Sequence, residues 1–144
     1  MKRPLSPVLL VGAGGGEATC GILYLAGYLR RHGVEAYVQL CDDEVIGPRW
    51  ADRLASLVAR VRPRVVGISL KWFHHVARAV HLAKALREID PEIRIALGGN
   101  TASFYWRELV SLDCVDDVVL GDGEGPLLSL CQGDESQPNV VSRA

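Results

Sequence analysis

The sequence predicts an α/β fold, a doubly wound five-stranded parallel sheet of Rossmann-like or flavodoxin-like type with helices on both faces. Three observations carry that expectation. Five short apolar runs alternate with longer amphipathic stretches. The runs are rich in Val, Ile and Leu and barely alternate in polarity, as strands covered on both sides do. Glycines gather directly after the first, fourth and fifth runs, where a strand must turn into a helix.

The first strand is read as Val8 to Val11. Basic residues precede it, which superficially suggests a signal peptide, but the apolar run is short and ends in glycines, so it reads as structure. A helix from Ala18 to Arg31 follows, and Gly33 suits the left-handed turn that stops helices. Ala36 to Leu40 is the second strand, with Asp42 and Asp43 as turn residues after it. Trp50, Leu54, Leu57, Val58 and Val61 fall at helical spacing on one face. Val65 to Ile68 is the third strand, and Phe73, Val76, Ala77, Val80, Ala83 and Leu86 form the apolar face of the next helix. Ile93 to Leu97 and Val118 to Leu120 are the last two strands, followed by shorter helices around Tyr105 to Ser111 and Pro126 to Cys131.

Strict alternation of strand and helix implies right-handed crossovers and a strand order of 2-1-3-4-5. Residues 1–131 then form one domain, and the polar, aperiodic residues 132–144 read as a tail or linker. A chain of 144 residues with 49% hydrophobic and 23% charged content is long enough for one core and is globular in composition. A net charge of -1 with scattered Lys and Arg gives no electrostatic footprint for nucleic acid or an anionic bilayer, so neither partner is expected. Cys20, Cys41, Cys114 and Cys131 have no metal-ligand spacing and read mostly as buried thiols of a cytoplasmic protein.

In open α/β sheets ligands sit beyond the carboxyl ends of the strands, so the residues after each strand matter most. Strand one is followed by Gly12-Ala13-Gly14-Gly15-Gly16-Glu17, which permits close backbone approach to a bulky ligand. Strand three is followed by Ser69-Leu70-Lys71-Trp72-Phe73-His74-His75, strand four by Gly98-Gly99-Asn100-Thr101, and strand five by Gly121-Asp122-Gly123-Glu124-Gly125. Phe73 fits the helix stripe and is read as core, whereas Trp72 lies off it. His74 and His75 are read as solvated, since adjacent positions cannot jointly chelate, so no metal site is expected. Glu124 suits the positive end of a helix that Pro126 helps to start.

Together the glycine loop, Val-Gly-Ile-Ser-Leu at 66–70, the stretch from Ala85 to Asn100 and Val-Val-Leu-Gly-Asp-Gly-Glu at 118–124 resemble the cobalamin-binding domain that precedes the catalytic core of B12-dependent radical SAM proteins. The resemblance covers nearly the whole chain, and Pro138-Asn139-Val140-Val141 resembles the linker into that core. It implies a corrin over the strand ends and a nucleotide tail in a slot lined by residues after strands three and four. Ser69 would hydrogen-bond the tail, Gly98 and Gly99 would leave it room, and Gly121, Asp122, Gly123 and Glu124 would close the opposite wall. Leu70 and Asn100 belong to the same loops, and Trp72 or Gly14, Gly15, Gly16 and Glu17 would cover the lower face of the corrin.

Better-known B12 proteins carry Asp-x-His-x-x-Gly after the first strand, and no histidine stands in that loop here. The resemblance therefore implies cobalamin with its own base detached and no protein imidazole on cobalt. It further implies methylcobalamin as methyl carrier, with S-adenosylmethionine, a [4Fe-4S] cluster and a small-molecule or peptide substrate held by a radical SAM core outside this chain. On that reading this chain binds and carries no catalytic residue of its own.

Three rivals share the topology. A dinucleotide-binding domain would need a third glycine where Glu17 stands. A phospho-accepting receiver would need acidic residues where glycines and Ser69 stand. A B12-like scaffold that has lost its ligand is the remaining alternative.

Overall fold

The computed structural model describes residues 7–14, 19–41 and 48–144. In chain order the elements are β1 (Val8–Gly12), α1 (Thr19–Arg31), β2 (Ala36–Leu40), α2 (Pro48–Val61), β3 (Val65–Ser69), α3 (Val76–Ile89), β4 (Arg94–Gly98), α4 (Asn100–Phe104), α5 (Trp106–Val110), β5 (Asp117–Val119), α6 (Glu124–Gln132) and β6 (Val140–Ser142). The sheet runs β2-β1-β3-β4-β5-β6. Its first five strands are parallel in the expected order, and β6 adds an antiparallel edge beyond β5.

Side chains alternate across a strand, so each central strand feeds two cores. Leu9, Val11, Val66, Ile68, Ile95, Leu97 and Val118 face α2 and α3, meeting Leu54, Val58, Leu82 and Leu86. Val8, Leu10, Val65, Ala96 and Val119 face α1 and α6, meeting Ile22, Leu29, Leu127 and Leu130. The sheet is thus covered on both faces, which is why its strands read as nearly continuous apolar runs.

Helix ends follow from glycine chemistry. Gly33 takes φ 81°, and the Gly33 and Val34 amides donate to the Arg30 and Leu29 carbonyls. Gly133 takes φ 78° and ends α6 in the same way, with the Asp134 amide donating to the Ser129 carbonyl. Both are left-handed stops that satisfy the last carbonyls of a helix.

The sixth strand corrects the expectation of a five-stranded sheet and lies within the stretch read as a tail or linker. It was hidden because only Val140 and Val141 are apolar, and a polar network holds it beside the packing of Val140 on the core. Asp117 is fully buried and accepts from Arg94 Nε at 2.6 Å and Nη2 at 2.9 Å. The same carboxylate accepts from the Ser142 hydroxyl at 2.6 Å, and Arg94 Nη1 donates to Glu135 Oε1 at 2.5 Å. These hydrogen bonds raise the Arg94 pKa further above its ordinary value, chiefly through Asp117, so the guanidinium stays charged.

Two further readings change. Phe73 is 71% exposed, because residues 73–75 form a single 3₁₀ turn and the buried stripe of α3 is Ala79, Leu82, Ala83 and Leu86. Among the cysteines, Cys41 and Cys114 are buried and Cys20 is exposed, while burial pushes the Cys131 thiol up to about 11. Asp42 and Asp43 lie outside the described residues. No described helix is long and apolar enough to cross a membrane.

Replacing Asp117 with Ala should cost roughly 3 kcal/mol, since it strands part of the Arg94 charge and releases β6. Ser142→Ala should cost about 1 kcal/mol. Urea unfolding of the two variants checks the difference, and equal stability would mean the network does not hold the edge strand.

Candidate functional site

The two faces of the sheet are unequal at its carboxyl end. Toward α2 and α3 the central strands present large aliphatic side chains, but toward α1 and α6 they present Gly67 and Ser69 from β3 and Ala96 and Gly98 from β4. The parallel register sets these in two rows, Leu10-Gly67-Ala96 below and Gly12-Ser69-Gly98 above. Small residues in both rows leave a slot of about 220 Å³ between the sheet, α1 and α6.

The walls are built from α1, through Gly21, Ile22 and Leu25, and from the β5–α6 connection and α6, through Gly121, Asp122, Gly123, Glu124 and Leu127. The floor is Leu10, Gly67, Ala96 and Val119, all apolar. Among the described lining residues Ser69 offers the one side-chain hydroxyl, at the upper row. Acidic Asp122 and Glu124 stand at the wall, and among the described residues no Lys or Arg lines the slot, so charge attraction does not draw an anion into it.

Each glycine of the β4 turn has a different reason to be glycine. A Cβ at Gly98 would meet nothing nearer than the Val119 Cβ at 3.9 Å, so the position is open and a larger side chain there would extend into the slot. Gly99 has φ 107° and ψ 173°, a region that L side chains do not tolerate, and its Cβ would lie 2.5 Å from the Leu70 carbonyl oxygen. That close approach joins the β3 and β4 loops, where the Leu70 amide donates to the Gly98 carbonyl at 2.7 Å and the Thr101 hydroxyl donates to the Lys71 carbonyl. Gly121 is left-handed with φ 71°, and its amide donates to the Ser103 hydroxyl, tying the β5 turn to α4.

The structure brings together seven of the residues singled out from sequence: Ser69, Gly98, Gly99, Gly121, Asp122, Gly123 and Glu124 all line the slot. Leu70 does not, being fully buried in the opposite core. Trp72, 42% exposed, and Asn100, at the start of α4, stand at the strand-end surface outside the slot. Gly14 lies against His75, whose imidazole Cε1 and Nδ1 sit 2.4 Å from where a Cβ would be. His75 is therefore packed on the β1 turn rather than solvated, while His74 is exposed as expected. Gly15, Gly16 and Glu17 lie outside the described residues.

Sequence reading missed Gly67 and Ala96 on the sheet and Ile22 and Leu127 on the helices. The signal for the first pair was available, since each stands two residues before a residue already chosen and so shares its face. The helical pair needed the packing of α1 beside α6.

The two glycines of the turn separate folding from space. Gly99→Ala should destabilise the protein by roughly 3 kcal/mol through strain and overlap, whereas Gly98→Ala should change stability by less than about 0.5 kcal/mol. Thermal or urea unfolding of the pair checks this, and equal losses would contradict the geometry.

No curated protein sequence matches this chain. Among solved structures, the chain resembles the radical S-adenosylmethionine methyltransferase TsrM from Kitasatospora setae, with 21% identity over 95% of this chain and a TM-score of 0.77. A second structure of TsrM, with cobalamin and a [4Fe-4S] cluster bound, superposes with a TM-score of 0.71, again at 21% identity. A cobalamin-binding protein from Desulfitobacterium hafniense DCB-2 has a TM-score of 0.65 at 13% identity, over 90% of this chain and 59% of its own. The chain spans only 28% and 27% of the length of the two TsrM chains. At these identities the likeness concerns the fold. The family model for the B12 binding domain, however, matches residues 7–130, and with that match over most of its length this chain belongs to the B12-binding domain family.

Proposed function

We propose that this chain is the cobalamin-holding module of a larger B12-dependent radical SAM methyltransferase, with the nucleotide tail of the cofactor in the slot between α1 and α6. The observation that carries the reading is the open face at Gly98, where a Cβ would meet nothing nearer than Val119 at 3.9 Å. Leu10 and Leu127 close over Gly67 beneath it, and the opposite face of the sheet is filled by aliphatic side chains. The residues present fit such a tail: an open floor at Gly98, a hydroxyl at Ser69 and apolar walls from Ile22 and Leu127.

In this reading Ser69 hydrogen-bonds the tail where it enters, and Gly121 to Glu124 form the wall that closes over it. Gly99 clamps the β3 and β4 loops so that the slot keeps its width without a side chain. With Asp122 and Glu124 at its wall, the slot relies on shape and desolvation rather than on charge to hold its occupant. Trp72, at the strand-end surface, and the β1 turn at Gly14 cover the corrin from below. Cobalamin, when bound, supplies a cobalt centre able to carry a methyl group. Methyl transfer itself, with S-adenosylmethionine and an iron–sulfur cluster, belongs to a core domain outside this chain.

The cofactor is held with its own base detached from cobalt and without a histidine ligand. No histidine occupies the β1 turn, and His75, which reaches it from the β3 loop, has one ring edge packed on Gly14. Cys20, Cys41, Cys114 and Cys131 form no disulfide among the described residues, which suits a reducing cytoplasm.

The test is retention of hydroxocobalamin after desalting, read by its ultraviolet–visible spectrum. The expected result is near-stoichiometric retention with a base-off spectrum that His75→Ala leaves unchanged. Gly98→Leu should fold as the parent does yet retain at most about a tenth of the affinity, because its side chain fills the slot. Full retention by Gly98→Leu would remove the tail from the slot. A histidine-ligated spectrum lost in His75→Ala would overturn the ligation proposed here, and absence of retention in the parent chain would favour a ligand-free scaffold.

A further inference from the structure

The slot changes character with depth. Its mouth holds Ser69, Asp122 and Glu124, but Leu10, Ile22, Ala96, Val119 and Leu127 below them present only carbon and are each at most 4% exposed. Backbone groups do not make up for this. Leu10, Gly67 and Ala96 lie in register within the parallel ladder, where their amides and carbonyls serve neighbouring strands. In the row above, the Gly98 carbonyl accepts from Leu70 and the Ser69 carbonyl from the Ala13 amide. Among the described residues, a group lowered to the floor therefore finds close packing and no polar partner.

From this we infer that the slot discriminates among corrinoids by the base at the end of the nucleotide tail, taking dimethylbenzimidazole in preference to adenine. The inference rests on the proposal that the tail enters this slot. Dimethylbenzimidazole ends in two methyl groups and an aromatic edge without donors, so its burial releases apolar surface from water and leaves unpaired only the imine nitrogen freed from cobalt, which an adenine base carries as well. An adenine base carries an exocyclic amino group and ring nitrogens that lose water on entry and gain no partner from Ala96, Val119 or Leu127. Both tails share the same phosphodiester and differ little before the base, so Asp122 and Glu124 at the wall affect them alike. Discrimination falls to the apolar floor.

Equilibrium dialysis of the whole chain against three corrinoids, read by corrin absorbance, tests this without any enzyme activity. The probes are hydroxocobalamin, its adenine-tailed analogue and cobinamide, which lacks the nucleotide. The expected order is cobalamin tightest, with the adenine-tailed analogue weaker by at least about tenfold and cobinamide weaker than cobalamin. Equal affinity for the two tailed corrinoids, with cobinamide weaker, would overturn the base selectivity and leave the tail slot standing. Equal affinity for cobinamide and cobalamin, or binding of none of the three, would overturn the tail slot itself and the selectivity with it.

Discussion

One packing constraint organises the carboxyl end of this protein: β3 and β4 carry large side chains on one face and almost none on the other. Ile68 and Leu97 fill the space toward α2 and α3, while on the opposite face Leu10 and Leu127 close over Gly67 and the small Ser69, Ala96 and Gly98 leave a gap. Protein interiors otherwise close such gaps, because a void forfeits dispersion contacts on its lining. Here α1 and α6 bridge the gap at Ile22, Leu25 and Leu127 instead of collapsing into it.

The rest of the fold keeps that gap at a fixed width. Gly99 lets the β4 turn pass against the Leu70 carbonyl, so the β3 and β4 loops are packed and hydrogen-bonded together. On the far side, Asp117 anchors Arg94 of β4 to Ser142 of β6 across β5, and β5 in turn sets where α6 begins. A buried carboxylate at the sheet edge is costly unless its bonds are made, and Asp117 makes three to side chains. The wall carrying Glu124 and Leu127 is thus tied to the same strand that supplies the slot's floor at Ala96.

Much of this was legible from residue order. Apolar runs located the five parallel strands, and the glycines after β4 and β5 marked the turns that line the slot. What escaped had physical reasons. β6 has two apolar residues and is held by hydrogen bonds to Asp117 and by the ladder with β5, neither of which leaves a periodic signature. Phe73 matched a helical stripe, yet α3 begins only at Val76, after a 3₁₀ turn of different pitch. His75 reaches Gly14 across a long sequence separation, a contact that no local pattern announces. Ile22 and Leu127 look like ordinary core residues until α1 and α6 are set side by side.

The proposed seat of the nucleotide tail is the gap left open at Gly98. A crystal structure of this chain with hydroxocobalamin tests it most directly. The account predicts the base between the floor at Val119 and the wall at Leu127, with Ser69 within hydrogen-bond distance of the tail. A base stacked on the exposed Trp72, or free in solvent above an empty slot, would contradict it.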